Sequence, residues 1–208
     1  MTLAPLINAR VLAVVRAPSA ESALLAADAL VAGGIFGLEI TYSTPDAPAV
    51  IRELDARYGE RIYLGAGTVT TPEEASMAAA AGARFLVSPG TRPGLTAAMK
   101  ATGLVVLTGA LTPSEVMAAI EYGADVVKIF PASLGGPAFL KALRGPFPDV
   151  ALMPTGGVTP ENLDAWFAAG AVAVGAGGDL VSGADLASGR YDEVERKARL
   201  FASAGARG

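Results

Sequence analysis

Short apolar runs rich in β-branched residues alternate along the chain with alanine-rich stretches of helical spacing, the pattern of βα units around a parallel sheet. Eight strands are predicted, at Val11–Val15, Phe36–Tyr42, Ile62–Gly67, Arg84–Val87, Leu104–Thr108, Asp125–Phe130, Val150–Met153 and Ala171–Gly175. Between them, helix starts are expected at Ser19, Thr44-Pro45, Thr71-Pro72, Thr112-Pro113 and Thr159-Pro160. A hydroxyl cap, then proline at the first helical position, then acidic residues is the expected entry chemistry. Helix stops are expected at Gly33-Gly34, Gly82, Gly123 and Gly170, where glycine suits a left-handed backbone. The units recur at roughly 20–25 residues without a long linker, so the chain is expected to be one domain over 1–208, a closed (β/α)₈ TIM barrel. A C-terminal helix is expected over about 188–204.

Composition narrows the chemistry. Hydrophobic residues make up 52% and charged residues 17% of the 208, ample for a packed core. A net charge of −4 argues against a nucleic-acid partner, because phosphate-binding surfaces rely on clustered Lys and Arg. With no cysteine and no histidine, thiol nucleophiles, imidazole bases and thiolate or imidazole metal sites are excluded. Acid–base work falls to Glu, Asp, Lys, Tyr or water. The run Val11–Val15 between Arg10 and Arg16 is too short for a membrane span or a signal segment, so a cytoplasmic protein with no membrane partner is expected. Glutamine is absent and asparagine occurs only at Asn8 and Asn162, a depletion of heat-labile residues consistent with thermal stability.

One lysine lies in an otherwise apolar strand, in Asp125-Val-Val-Lys-Ile-Phe-Pro131. Desolvation disfavours an ammonium, and a lysine so placed is suited to attack a carbonyl and form a Schiff base, which singles out Lys128. Strand alternation turns Glu39 and Thr41 to one side and Leu38, Ile40 and Tyr42 to the other, so Glu39 is expected inside the barrel. An interior carboxylate needs a partner, and Arg16 or Lys128 would supply one. Arg16 closes the first strand and Thr68 follows the third, both where loops meet the barrel mouth, with Gly65 and Gly67 expected to let backbone amides approach a ligand. After the seventh strand comes Pro154-Thr-Gly-Gly-Val158, and at the eighth Gly175-Ala-Gly-Gly178. Loops at these two places and an adjoining helix N-terminus commonly hold an anion, which points to Gly156, Gly157, Gly177 and Gly178.

Taken together, Leu38-Glu-Ile-Thr41, Gly65-Ala-Gly-Thr-Val69, Ser88-Pro-Gly90, Lys128-Ile-Phe-Pro-Ala132, Pro154-Thr-Gly-Gly-Val158 and Tyr191-Asp192 stand in one order along nearly the whole chain. That order resembles the class I 2-keto-3-deoxy-6-phosphogluconate (KDPG) aldolases, which also act on 4-hydroxy-2-oxoglutarate (KHG). The resemblance implies a homotrimeric barrel that cleaves a 2-keto-4-hydroxy acid to pyruvate and an aldehyde, with neither metal nor organic cofactor. It implies that Lys128 forms the Schiff base and Glu39 moves the protons. Thr68 would help hold the pyruvate carboxylate beside Pro89, and Thr155 would contact hydroxyls on the aldehyde side. The chain departs from many members at Ser43, where they carry an arginine after the second strand; Arg16 is expected to supply that cation. Gly177 brings no hydroxyl to the anion loop, where some members carry a serine.

Two other readings fit the same scaffold. A phosphosugar isomerase or epimerase would use Glu39 without a covalent step, and a non-catalytic phosphometabolite-binding module would use the glycine loops alone.

Overall fold

The computed structural model describes residues 2–205. Its strands are β1 (Val11–Val15), β2 (Gly37–Thr41), β3 (Tyr63–Gly67), β4 (Phe85–Val87), β5 (Val105–Ala110), β6 (Val126–Ile129), β7 (Leu152–Pro154) and β8 (Val174–Ala176). All pair in parallel, in the order β7-β6-β5-β4-β3-β2-β1-β8. Parallel bridges Leu152↔Ala171 and Thr155↔Gly175 then join the two ends. The eight strands form the (β/α)₈ barrel that the periodicity predicts, with each boundary within a few residues of its expected place.

Alternation along the strands divides the apolar side chains into two cores. Leu38 and Ile40 of β2 and Val127 and Ile129 of β6 join the layer between sheet and helices. Leu12, Phe85, Val87, Val105, Leu107, Val126 and Met153 fill the barrel interior. The helices of the outer layer are α2 (Ala20–Ala32), α3 (Ala47–Tyr58), α4 (Pro72–Ala80), α5 (Pro93–Ala101), α6 (Pro113–Glu121), α7 (Gly136–Arg144), α8 (Leu163–Ala168) and α10 (Tyr191–Gly205). Two further helices lie outside that alternation: α1 (Ala4–Ala9), whose Leu6 is part of the interior cluster, and the short α9 (Gly183–Ala187) after β8. The pattern does not reveal α1, because six residues are too few for a helical period to show.

The expected capping chemistry holds at three helix starts. Ser19 accepts from the Ser22 amide, and Thr71 with Glu74 and Thr112 with Glu115 form complete capping boxes. It fails at two. Thr44 is buried and accepts from the Ala17 amide at 3.0 Å, tying the end of β2 to the end of β1 while α3 begins after Asp46. Thr159 gives its amide to Asn162 Oδ1 at 2.9 Å, and α8 begins only at Leu163. In both places the threonine is drawn into tertiary or loop bonding that local sequence does not reveal. Gly34, Gly82, Gly123 and Gly170 all have positive φ at the expected helix stops. The C-terminal helix starts three residues later than its expected start, at Tyr191, because Ser182 caps the separate turn of α9. No helix among the described residues is long and apolar enough to cross a membrane.

Candidate active site

The strand C-termini surround a cavity of about 470 Å³. Lys128 enters it from β6, opposite Gly109 of β5 and Met153 of β7 in the strand register. Val126 and Lys128 face inward while Val127 and Ile129 pack outward, so the period of two that makes this a buried strand also aims the amine into the barrel. Only 6% of Lys128 is exposed.

Glu39 approaches from β2, level with Val14 and Gly65, and is fully buried. Its Oε1 lies 3.6 Å from Lys128 Nζ. That separation is an ion pair without a direct hydrogen bond, and neither carboxylate oxygen has a hydrogen-bond partner. Thr155 Oγ1, at the end of β7, is likewise buried without one. Buried polar atoms are ordinarily paired, so three such atoms, two on Glu39 beside the cavity-lining Lys128 and one on the cavity-lining Thr155, mark a place built to bond something else. Of the two interior partners expected for Glu39, the fold supplies Lys128. Arg16 instead donates from Nη1 to Ser43 Oγ at the barrel mouth.

The other expected residues converge on the same cavity. Arg16 lines it from just past β1, Thr68 from the end of β3, and Pro89 from the loop after β4. Ser88 steadies that loop by donating to the Gly90 carbonyl at 2.6 Å. Thr155, Gly156 and Gly157 line it after β7, and Gly177 and Gly178 after β8. Thr68 has φ 56°, a left-handed conformation that costs a β-branched residue energy.

Two local expectations change. Gly65 and Gly67 face inward rather than offering amides to a ligand. A Cβ on Gly65 would stand 2.5 Å from the Phe85 ring, and one on Gly67 would stand 2.0 Å from Glu39 Oε1. Their absent side chains make the room in which Phe85 and Glu39 sit. Gly175 belongs to β8, as predicted, and the loop there begins at Gly177. The adjoining helix α9 is a five-residue turn whose cap, Ser182, is already bonded to Asp185.

Sequence reasoning missed Phe130 and Asp179. Phe130 lines the cavity with its ring centroid 5.4 Å from Lys128 Nζ, close enough for a cation–π contact. Its place two residues after Lys128, on the same strand side, is the signal that could have found it. Asp179 brings a carboxylate to the mouth directly after the Gly177-Gly178 loop. Val14, Val181 and Gly183 complete the wall.

A larger cavity, about 560 Å³, opens at the opposite end among Arg10, Phe36, Tyr63 and Phe201. Its lining contains no lysine, and barrel chemistry is a property of the strand C-termini, so size does not decide between the two. No group of three or more His, Cys, Asp or Glu among the described residues could hold a metal ion.

A lysine and a carboxylate buried together beneath the C-terminal mouth of a (β/α)₈ barrel define an enzyme class, the barrel aldolases whose nucleophile is an amine. The chain belongs to the KDPG and KHG aldolase family, whose model matches residues 4–197. A KHG/KDPG aldolase of Escherichia coli strain K12 is 40% identical over 181 residues, which are 86% of this chain and 84% of that one. A 2-dehydro-3-deoxy-phosphogluconate aldolase of Treponema pallidum is 38% identical over 186 residues, 89% of this chain and 88% of the relative. The crystal structure of KDPG aldolase from Legionella pneumophila, with pyruvate captured at low pH as a covalent carbinolamine intermediate, superposes with a TM-score of 0.87 at 32% identity. It covers 97% of this chain and 98% of that one.

Proposed function

We propose that the protein is a Schiff-base aldolase cleaving a 2-keto-4-hydroxy acid to pyruvate and an aldehyde. The substrate is KDPG, releasing glyceraldehyde 3-phosphate, or KHG, releasing glyoxylate. The observation that carries this reading is Lys128 Nζ, of a residue lining a cavity open to solvent, at 3.6 Å from the buried Glu39 carboxylate.

Lys128 Nζ adds to the C2 keto carbon to give a carbinolamine, and loss of water gives the iminium. Glu39 takes the C4 hydroxyl proton, directly or through water, as the C3–C4 bond breaks. The bonding electrons move into the iminium, so the product is an enamine rather than a bare carbanion, and the aldehyde departs. Protonation at C3 and hydrolysis of the regenerated iminium release pyruvate and restore the amine. This sequence balances without a redox partner, metal or organic cofactor, because the iminium supplies the electron sink that a Lewis acid would otherwise provide.

In this reading Arg16 and Thr68 hold the keto-acid carboxylate against the wall formed by Pro89, while Thr155 bonds a hydroxyl on the aldehyde side. The amides of Gly156, Gly157, Gly177 and Gly178 receive any anionic group at the far end of the substrate. We take the working assembly to be a homotrimer, which light scattering checks. Absence of cysteine supports a cytoplasmic setting, checked by cell fractionation.

The test is borohydride trapping with pyruvate, followed by intact mass and peptide mapping. A pyruvate-derived adduct on Lys128 is the expected result. No adduct in folded protein at saturating pyruvate would overturn the reading.

A further inference from the structure

The hydroxyls at the end of β2 form a directed chain whose two ends lie on the neighbouring residues Val15, the last of β1, and Arg16, the first beyond it. Thr41 Oγ1 donates to the Val15 carbonyl at 3.0 Å. It also lies 2.8 Å from Ser43 Oγ. A threonine hydroxyl has one hydrogen. Since Thr41 gives its hydrogen to Val15, the bond to Ser43 runs the other way: Ser43 donates and Thr41 accepts. The remaining Ser43 lone pairs then accept from Arg16 Nη1, the third contact of the chain. Arg16 N–H to Ser43, Ser43 O–H to Thr41, Thr41 O–H to Val15 is thus the one arrangement in which every hydrogen is used once. Each link polarises the next in the same sense.

The backbone of Arg16 is pinned as well. Thr44 Oγ1 accepts from the Ala17 amide at 3.0 Å, so the residues before and after Arg16 are both bonded to hydroxyls of Thr41-Tyr-Ser-Thr44. Arg16 is otherwise an exposed side chain at a strand end, with no carboxylate partner in any ion pair among the described residues. A free arginine there would hold a large rotamer entropy and lose it on meeting a ligand. One of its five N–H donors is spent on Ser43, and the others remain for the cavity that Arg16 lines.

We infer that Ser43 is a positioning residue which, oriented by Thr41, holds the Arg16 guanidinium ready for the carboxylate of the keto acid. This rests on the aldolase reading and deepens it: pre-ordering the cation lowers the cost of binding and leaves the bond-breaking step to Lys128 and Glu39.

The experiment measures keto-acid cleavage and pyruvate trapping in wild type, Ser43→Ala, Ser43→Thr, Arg16→Ala and the Arg16→Ala/Ser43→Ala pair, with thermal unfolding of each. Ser43→Ala is expected to raise KM for the keto acid, and the pyruvate concentration for half-maximal trapping, by about fivefold, the scale of one ordinary hydrogen bond. Its kcat should stay within about twofold of wild type, since a uniform binding interaction is lost. Ser43→Thr, which keeps the hydroxyl, should recover most of the loss. In the Arg16→Ala background Ser43→Ala should cost nothing more. An unchanged KM in Ser43→Ala, or the same loss with and without Arg16, overturns the positioning role while leaving the Lys128 adduct and the aldolase reading intact. Absence of the adduct in wild type overturns both.

Discussion

A Cβ placed on Gly67 would stand 2.0 Å from Oε1 of Glu39 and 2.6 Å from its Cγ, so the Glu39 carboxylate occupies the space that β3 leaves by having no side chain there. The third strand positions the key residue of the second by omission.

Gly67→Ala is therefore expected to displace Glu39 from Lys128 and lower kcat for cleavage by at least ~10²-fold, the scale of a lost acid–base group. The protein should still unfold cooperatively. A variant with wild-type kcat would show that Glu39 need not sit where it does.

Lys128→Met should abolish cleavage and also destabilise the fold by about 3 kcal/mol, because it strands a fully buried carboxylate. Adding Glu39→Met to it should restore most of that stability, measured by urea unfolding, with no return of activity. Equal stability of the single and double variants would mean that the pair is not electrostatically coupled.

Thr155→Val separates binding from stability. Its buried Oγ1 has no partner, so exchanging the hydroxyl for a methyl should leave the melting temperature unchanged or raise it. Cleavage of the hydroxylated keto acid should fall about tenfold or more for loss of one substrate hydrogen bond. Pyruvate trapping, which lacks the aldehyde portion, should be unaffected; equal losses in both assays would remove Thr155 from the aldehyde side.

Thr68→Gly should release the strain of φ 56° and stabilise the protein by about 1 kcal/mol, less the entropy glycine adds to the unfolded chain. Its KM for the keto acid should rise. A variant both less stable and unimpaired in KM would show the conformation to be neither strained nor functional.

Acid stability is expected to depend on the cluster around Asp185, beside Val181 and Gly183 of the cavity wall. Hydrogen bonds from Lys197, Ser182 and Arg190 hold the Asp185 carboxyl well below the usual carboxylate range. A depressed folded value means stabilisation present above the unfolded value of about 3.9 and lost as pH falls below it. Asp185→Asn should melt lower at neutral pH and lose less than wild type between about pH 5 and pH 2. Parallel acid limbs in the two proteins would count against this.

Much of the site is legible before folding because a period of two is a local property. Lys128 among valines and isoleucine has one inward direction, and Glu39 between Leu38 and Ile40 has the same. Strand counting puts Thr155, Gly156, Gly157, Gly177 and Gly178 at the mouth. What local pattern could not supply is the partner across the barrel. Glu39 could have met Arg16 or Lys128, and the glycines at 65 and 67 read equally well as ligand-facing amides.

The sequence by itself determined the alternation of strands and helices, the caps where threonine has only its own helix to bond, the inward face of each strand, and the exclusion of imidazole and thiol chemistry. These follow from spacing and residue type, which need no knowledge of what lies opposite. Only the tertiary structure decided that Thr44 and Thr159 leave their helices, that Gly67 makes room for Glu39, and that Ser43 holds Arg16. Apart from Thr159, whose amide bonds Asn162 within its own loop, those outcomes depend on which atoms closure of the barrel brings within 4 Å across 26 to 28 residues of chain, as between Thr41 and Val15 or Gly67 and Glu39, and no local period encodes that distance.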